Sequence, residues 1–210
     1  MPRRHNLGRA LPTATILLAA LAAGLGLWLG LGRFGAPAPP NLQAALLYPA
    51  PRTVPEFHLT RADGAPLTNA DWQGRWTLVF FGFTHCPDVC PTTLGTLKQV
   101  WTRLAPAQRE RLRVDFVSVD PQRDTPEQLG RYVAFFSPDF VAATGSDTEL
   151  TALTRALGLL YVRVPGENGD YSVDHSAQVI LIDPQGRLVG LFRPPLDAGR
   201  IAADLAQLTR

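Results

Sequence analysis

Cys86 and Cys90 are the only cysteines of the 210-residue chain, and three residues separate them in the segment THCPDVCP (residues 84–91). Two thiolates at this spacing could hold one soft metal ion, form a structural disulfide or exchange electrons with another disulfide. Soft sulfur ligands suit Cu(I), whereas a structural zinc site takes four ligands. The pair therefore predicts either a copper site or a redox-active dithiol.

His175 is the histidine that could add a nitrogen ligand to the two sulfurs. The other three histidines are expected elsewhere. His5 comes before the apolar N-terminal segment, and His58 lies on the surface of a hairpin. The side chain of His85 should point away from the cysteine loop. His175 comes just before an apolar strand. On the residues alone it is either a metal ligand or a hydrogen-bonded structural histidine, and the adjacent Asp174 either orients its ring or forms a turn.

The cysteines follow a segment that should be a central strand. Residues 76–83 (WTLVFFGF) form an almost continuous apolar run, as in a strand buried on both faces. Open α/β sheets bind ligands at the carboxyl ends of their strands. Residues 91–104 carry apolar side chains at helical spacing. Because Cys90 precedes a proline, we expect it at the helix cap with Pro91 as the first helical residue, where the helix N-terminus favours the thiolate.

The rest of the chain alternates between strand and helix patterns. We expect a hairpin within residues 56–67, strands at 114–119, 140–143, 161–164, 171–173, 177–182 and 188–192, and helices at 125–136, 146–157 and 198–208. Early βαβ units predict parallel strands, and the later hairpins add antiparallel ones. The sequence thus predicts an α/β fold with a mixed sheet flanked by helices.

Composition excludes several classes of protein. The hydrophobic share of 46% and the charged share of 18% are typical of a folded chain rather than a disordered one. Two cysteines cannot build a disulfide scaffold, and Met1 is the single methionine, which excludes a methionine-rich metal carrier. A formal charge of +2 is too small for a general nucleic-acid binder, so no nucleic-acid partner is expected.

The N-terminus has the pattern of a membrane anchor. Residues 10–32 carry no charge, and arginines precede them. As a helix these residues would extend about 34 Å, enough for a hydrocarbon core of roughly 30 Å. We expect one transmembrane helix within residues 1–33, a proline-rich linker at 34–52 and a globular domain at 53–210. A cleaved signal peptide and a buried core helix are the alternatives.

Three separated blocks resemble one protein family. They are FGFTHCPDVCP at residues 81–91, VSVDPQRDTP at 117–126 and YSVDHS at 171–176. In this order they resemble the SCO/SenC family, the copper chaperones of cytochrome c oxidase assembly. The resemblance extends from about residue 51 to residue 210.

The resemblance implies a thioredoxin-like fold of the peroxiredoxin type. It implies that Cys86, Cys90 and His175 bind copper, as Cu(I) with Cu(II) as a further candidate, and that the cysteines are redox-active. The implied recipient is the dinuclear copper centre of cytochrome c oxidase subunit II, which would receive copper or reducing equivalents. Other copper carriers and thiol reductants are implied partners. The implied location is the inner membrane, with the domain facing the periplasm or, in a eukaryote, the mitochondrial intermembrane space.

The main alternative is a thiol–disulfide oxidoreductase or a peroxidase of the thioredoxin superfamily. Thioredoxins use two residues between their cysteines, and this chain has three, which counts against ordinary thioredoxin activity. Three acidic residues also match the family blocks, but we expect them to serve turns and helix caps: Asp88, Asp120 and Asp124.

Overall fold

The computed structural model describes residues 13–34, 41–166 and 170–209, and the chain divides into two compact units, Met1–Pro39 and Pro40–Arg210. The first unit contains helix α1 (Thr13–Phe34), whose large apolar side chains are exposed between residues 16 and 28. Among the described residues, no helix has the length and apolarity needed to span a membrane. The predicted transmembrane helix is therefore not confirmed. Residues 10–12 of the predicted span, and His5, lie outside the described residues.

The second unit is built on a mixed β-sheet. Its strands, in chain order, are β1 (Ala45–Thr53), β2 (His58–Arg61), β3 (Pro66–Thr68), β4 (Trp76–Gly82), β5 (Leu112–Ser118), β6 (Val141–Thr144), β9 (Val179–Ile182) and β10 (Arg187–Phe192), while β7 (Tyr161–Pro165) and β8 (Tyr171–His175) form a separate hairpin. Within the described residues the eight-stranded sheet has the order β1-β10-β9-β4-β5-β6-β2-β3. Strands β4, β5 and β6 are parallel, and their neighbours are antiparallel. The predicted mixed α/β sheet is confirmed.

Helices surround this sheet and bury its central strands. They are α2 (Val89–Arg103), α3 (Pro106–Arg109), α4 (Pro126–Phe136), α5 (Asp147–Ala156) and α6 (Ala198–Leu208), with a 3-10 turn at Asn69–Trp72. Every residue of β4 after Trp76 is buried, as its apolar run predicts. The short α3 and the 3-10 turn are absent from the sequence-based prediction.

Helices α4 and α5 begin close to their predicted starts, and hydroxyl side chains cap both of them. The Thr125 hydroxyl accepts a hydrogen bond from the Gln128 amide, and the Ser146 hydroxyl accepts one from the Glu149 amide. Helix α2, however, begins at Val89, two residues before the predicted start. Pro91 then lies in the first turn, where backbone N–H groups have no partner within the helix, so the proline removes no hydrogen bond.

Strand β1 corrects the prediction that residues 34–52 form only a linker. Residues 45–47 and 52–53 pair with β10 at the edge of the sheet, and the register shifts between Leu47 and Arg52. Pro49 and Pro51 fall within that irregular stretch. Prolines are tolerated at sheet edges and bulges because no ladder hydrogen bond is lost there. The buried carboxylate of Asp204 in α6 secures the start of β1 by accepting hydrogen bonds from the amides of residues 43–45, at 2.7–2.8 Å.

Candidate metal centre

The cysteines lie where β4 ends and α2 begins. Cys86 is in the connecting loop and is half-buried, and Cys90 is in the first turn of α2 and is buried. The close approach of these two elements depends on Gly82, because a Cβ at that residue would lie 2.6 Å from the Cys90 Sγ and 2.9 Å from the Phe116 ring. The strand end therefore needs glycine to leave space for the sulfur.

His175 meets the cysteines from the end of β8. Its Nε2 lies 3.3 Å from the Cys90 Sγ, and the Cys90 amide is 3.4 Å from the Cys86 Sγ. The three candidate ligand atoms lie within 4.8 Å of one another, and both cysteines are free thiols. The fold thus brings the three residues singled out from the sequence into one group, although His175 comes 85 positions after Cys90 in the chain.

The imidazole of His175 is held by its backbone and by aromatic rings. Its Nδ1 lies 3.1 Å from the carbonyl oxygen of Ser176, an arrangement that fits an N–H donor on Nδ1 and a free lone pair on Nε2. The edges of Phe80 and Phe83 pack around the ring, with centroids 5.8 and 5.9 Å away. Asp174 is exposed, so the backbone carbonyl, rather than this carboxylate, orients the ring.

Burial changes the proton affinity of Cys90 and of His175. It raises the pKa of the Cys90 thiol well above its usual range, and it lowers the pKa of the His175 imidazole. The helix N-terminus was expected to favour a thiolate, and burial acts on Cys90 in the opposite direction, by favouring the protonated thiol. A buried thiol next to a neutral imidazole is a site that releases a proton when a metal binds.

Asp124 fixes the cysteine loop to strand β5. Its buried carboxylate accepts hydrogen bonds from the Thr84 hydroxyl at 2.6 Å, the Thr84 amide at 2.9 Å and the Ser118 hydroxyl at 2.6 Å. Thr84 is two residues before Cys86. The carboxylate therefore sets the path of the chain into the loop.

Asp120 fixes the β7–β8 hairpin in a similar way. Its buried carboxylate accepts a 2.6 Å hydrogen bond from the Arg123 Nε and another of 2.6 Å from the Tyr171 hydroxyl. The guanidinium of Arg123 lies 3.8 Å from the centroid of the Tyr171 ring and donates to the Tyr171 carbonyl at 2.8 Å. This network joins the hairpin that carries His175 to the loop after β5.

The turn-and-cap prediction for the three aspartates holds for the position of Asp88, although its side chain makes no cap hydrogen bond to the backbone, and it is incomplete for the other two. Asp88 is exposed at the N-cap of α2 and accepts a 3.1 Å hydrogen bond from the Thr92 hydroxyl. Asp120 and Asp124 instead make buried long-range contacts. Sequence reasoning did not single out Thr84, Arg123 or Tyr171, although all three lie inside the family-like blocks.

The other described histidines lie outside the metal-ligand group. His58 is exposed on β2, and His85 is exposed with its Nδ1 3.4 Å from the Asp124 carboxylate. Among the described residues, the group of Cys86, Cys90 and His175 is the one cluster of three or more such side chains that could hold a metal ion. A cavity of about 310 Å³ opens beside this group, and Cys86 and His175 line it whereas Cys90 does not. The sulfur of Cys86 is thus on the accessible side.

Comparison with known proteins identifies a family whose model matches most of this chain. A family model described as SCO1/SenC matches residues 47–210. A human mitochondrial SCO1 homologue is 40% identical over 152 residues, which cover 71% of this chain but only 50% of the human protein, so the chain spans half of that relative's length.

Two solved structures share the fold. The apo Sco1 protein of Thermus thermophilus is 38% identical, with a TM-score of 0.73 over 82% of this chain and 99% of that one. The ScoI protein of Bradyrhizobium japonicum, solved with copper bound, is 34% identical, with a TM-score of 0.67 over 74% of this chain and 99% of that one.

Proposed function

Because the chain belongs to the SCO1/SenC family, we propose that it holds one copper ion with Cys86, Cys90 and His175 as a metallochaperone. The recipient in this proposal is the dinuclear copper centre of cytochrome c oxidase subunit II. The observation that carries the proposal is the group of three donor atoms, two sulfurs and one nitrogen, within 4.8 Å of one another.

The chemistry of these donors suits Cu(I). Thiolates are soft ligands, and Cu(I) accepts a trigonal shell of two sulfurs and one imidazole nitrogen. The arrangement of His175, with Nδ1 directed to a carbonyl and Nε2 directed to the sulfur, supplies a neutral ligand nitrogen. Cu(II) would need a further donor beyond these three.

Release of copper by ligand exchange also fits the differences in burial. Cys90 is buried, whereas Cys86 is half-buried beside the open cavity. A ligand of the recipient protein can therefore approach on the side of Cys86 and His175 while the buried Cys90 still holds the ion. Oxidation of the two thiols to a disulfide would stop copper binding, so a thiol reductant is a required partner in an oxidising compartment.

The test is anaerobic Cu(I) titration of the reduced full chain in detergent against a competing chelator. We expect one tightly bound ion, with affinity lowered by Cys86→Ser, Cys90→Ser and His175→Ala. His85→Ala is the matched control, because His85 lies in the same loop but outside the ligand group. Absence of competitive binding by the unsubstituted chain would refute the copper proposal, and unchanged affinity in His175→Ala would refute the assignment of that ligand.

A second candidate function is thiol–disulfide reduction, favoured by the two neighbouring free thiols. In this reaction Cys86 and Cys90 give two electrons and two protons to a disulfide substrate, form their own disulfide and leave two thiols on the substrate. This reaction does not need the imidazole. His175→Ala should therefore retain disulfide exchange while it loses copper affinity, and loss of both activities together would contradict two separable roles.

We also propose that α1 attaches the domain to the inner membrane, with the domain on the periplasmic side or, in a eukaryote, in the mitochondrial intermembrane space. Two observations support this proposal: residues 10–32 carry no charge, and α1 exposes leucines and Trp28. Extraction of membranes with alkaline carbonate is the test. We expect the chain to remain in the pellet unless residues 1–39 are deleted, and recovery of the intact chain in the supernatant would contradict attachment.

A further inference from the structure

An exposed apolar patch lies on the β7–β8 hairpin, which also carries His175. Leu160, Val162 and Val164 are 68%, 61% and 39% exposed. The strand ladder reaches Leu160, since its carbonyl accepts a 3.0 Å hydrogen bond from the Ser176 amide. Alternate residues of a strand point to the same side, so the three side chains share one face, which we call the hairpin patch. Contiguous exposed apolar side chains mark a surface that contacts another molecule.

The hairpin patch continues to the opening of the candidate metal centre. In the register of the hairpin, Val162 pairs with Asp174, and Val164 pairs with Ser172. Cross-strand partners lie side by side on the same face. Asp174 and Ser172 also line the cavity of about 310 Å³ beside the metal centre, together with Val89, which is 42% exposed. A molecule seated on the patch would therefore reach the opening of the site.

The same opening carries unpaired negative charge. Asp88 and Asp174 are exposed and line the cavity, whereas no lysine or arginine lines it. Within the described part of the chain, neither carboxylate forms an ion pair. The two arginines of the hairpin region, Arg123 and Arg163, are each already paired with aspartates. The charge of the two carboxylates is therefore left for a cationic partner.

We propose that the hairpin patch, with Asp88 and Asp174, is the docking surface for the protein that receives copper, an inference that rests on the proposed copper-transfer function. The partner that fits this surface presents apolar side chains to the patch and lysine or arginine side chains to the two carboxylates. Burial of apolar area supplies affinity, and charge pairs steer the encounter and fix its orientation. Docking in this orientation brings a ligand of the recipient to the accessible sulfur of Cys86.

The two carboxylates disfavour other occupants of this surface. In a twofold contact between two copies of the chain, the same surface meets itself, so Asp88 and Asp174 would approach their own copies. The negative surface of a phospholipid membrane would repel the same two groups. A cationic protein surface meets neither obstacle.

The binding test uses the full chain, reduced, copper-free and held in nanodiscs of a zwitterionic lipid. It is titrated calorimetrically with the copper-free soluble domain of cytochrome c oxidase subunit II, so that no metal bond contributes. We expect saturable binding of one domain per chain. Val162→Thr/Val164→Thr, which keeps β-branched side chains and adds hydroxyls, should weaken binding at least about fivefold. Phe135→Gln is the control, because Phe135 is 78% exposed on α4, outside the patch.

The charge of the surface is tested separately by salt dependence. Binding should weaken as the salt concentration rises, because salt screens exposed charges. Asp88→Asn/Asp174→Asn should weaken binding about threefold or more at low salt and flatten its salt dependence. Glu56→Gln/Glu110→Gln is the matched control, because both glutamates are exposed and lie outside the surface. Equal effects of the two double substitutions would overturn the role of Asp88 and Asp174.

Cu(I) titration of the same chains separates this inference from the proposed function. A chain that binds Cu(I) but does not dock the subunit II domain would overturn the docking surface and leave the copper site in place. Docking by a chain that fails the Cu(I) titration would support the surface and refute the copper function. Equal binding by the valine variant and the unsubstituted chain would overturn the role of the hairpin patch.

Sedimentation of the chain alone, and with phosphatidylserine vesicles, tests the other occupants. Self-association or vesicle binding that the valine variant abolishes would assign the patch to a second copy or to a membrane and overturn the proposal. We expect neither of these interactions to change in the valine variant.

Discussion

The hydroxyl of Tyr171 donates a 2.6 Å hydrogen bond to the buried carboxylate of Asp120, 51 residues earlier in the chain. Tyr171 begins β8 and His175 ends it, so this bond holds the strand that carries the imidazole. The position of the candidate ligand nitrogen of His175 thus depends on a contact four residues earlier in the strand, at Tyr171.

Tyr171→Phe should weaken Cu(I) binding without removing a ligand. Loss of a short hydrogen bond to a carboxylate costs about 1.5–3 kcal/mol in the strand's attachment, and part of that cost should appear as a roughly three- to tenfold lower affinity. Competition titration measures this change. Tyr48→Phe, on β1 at the edge of the sheet, is the control. An unchanged affinity in Tyr171→Phe would contradict this role of the hydrogen bond, because the contacts of Arg123 would then hold the hairpin without it.

Asp124→Asn should destabilise the fold and the cysteine loop. The amide that replaces the carboxylate cannot accept all three hydrogen bonds from Thr84 and Ser118, and it places N–H groups against donors. We expect a loss of about 2–3 kcal/mol in the free energy of unfolding, measured by urea denaturation. Asp88→Asn, at an exposed cap, should change it by no more than about 0.5 kcal/mol. Equal effects of the two substitutions would contradict this role for Asp124.

Gly82→Ala should displace the sulfur of Cys90. The new Cβ would lie 2.6 Å from that Sγ, so either the strand end or the helix start must move. We expect a loss of about 1–3 kcal/mol in unfolding free energy together with weaker copper binding. Gly95→Ala in α2 is the control, because a Cβ there meets nothing within 4 Å and should stabilise the helix by about 0.5–1 kcal/mol. If Gly82→Ala binds copper normally, the close approach does not matter for the site.

Copper affinity should rise with pH. Burial raises the pKa of the Cys90 thiol, so this group is protonated in the metal-free chain at neutral pH and must lose its proton when it binds copper. Each proton released adds about a tenfold gain in affinity per pH unit. Burial lowers the pKa of His175, so this ligand is already neutral above its ordinary pKa of about 6.5 and adds no slope there.

Titration against a chelator between about pH 7 and 8.5, corrected for the chelator's own protonation, measures this slope. Cys90→Ser should bind copper more weakly. Its affinity should also rise less steeply with pH, because one proton fewer is released when copper binds. A wild-type affinity that is independent of pH would contradict a protonated Cys90 in the metal-free chain.

The sequence predicts much of this architecture because many signals are local. The apolar run of β4 and the starts of α4 and α5 each depend on a few neighbouring residues. Strand β1 was missed because its prolines are typical of linkers. Its place depends on pairing with β10, which is more than 130 residues away in the chain.

The same holds for the candidate site: residue types and short motifs predict part of it, whereas contacts between distant elements do not follow from the sequence. Its three candidate ligand residues could be chosen by residue type and by family resemblance. The roles of Asp120 and Asp124 could not be predicted, because their partners belong to other elements.

The separation of Cys90 from His175 along the chain has a consequence for the order of events in biosynthesis. A ribosome completes both cysteines 85 residues before it reaches the histidine, and β9, which pairs with β4, is synthesised later still. A partly made chain therefore offers two thiols without their nitrogen partner. In the proposed site, copper binding by all three donors therefore requires the finished and folded chain.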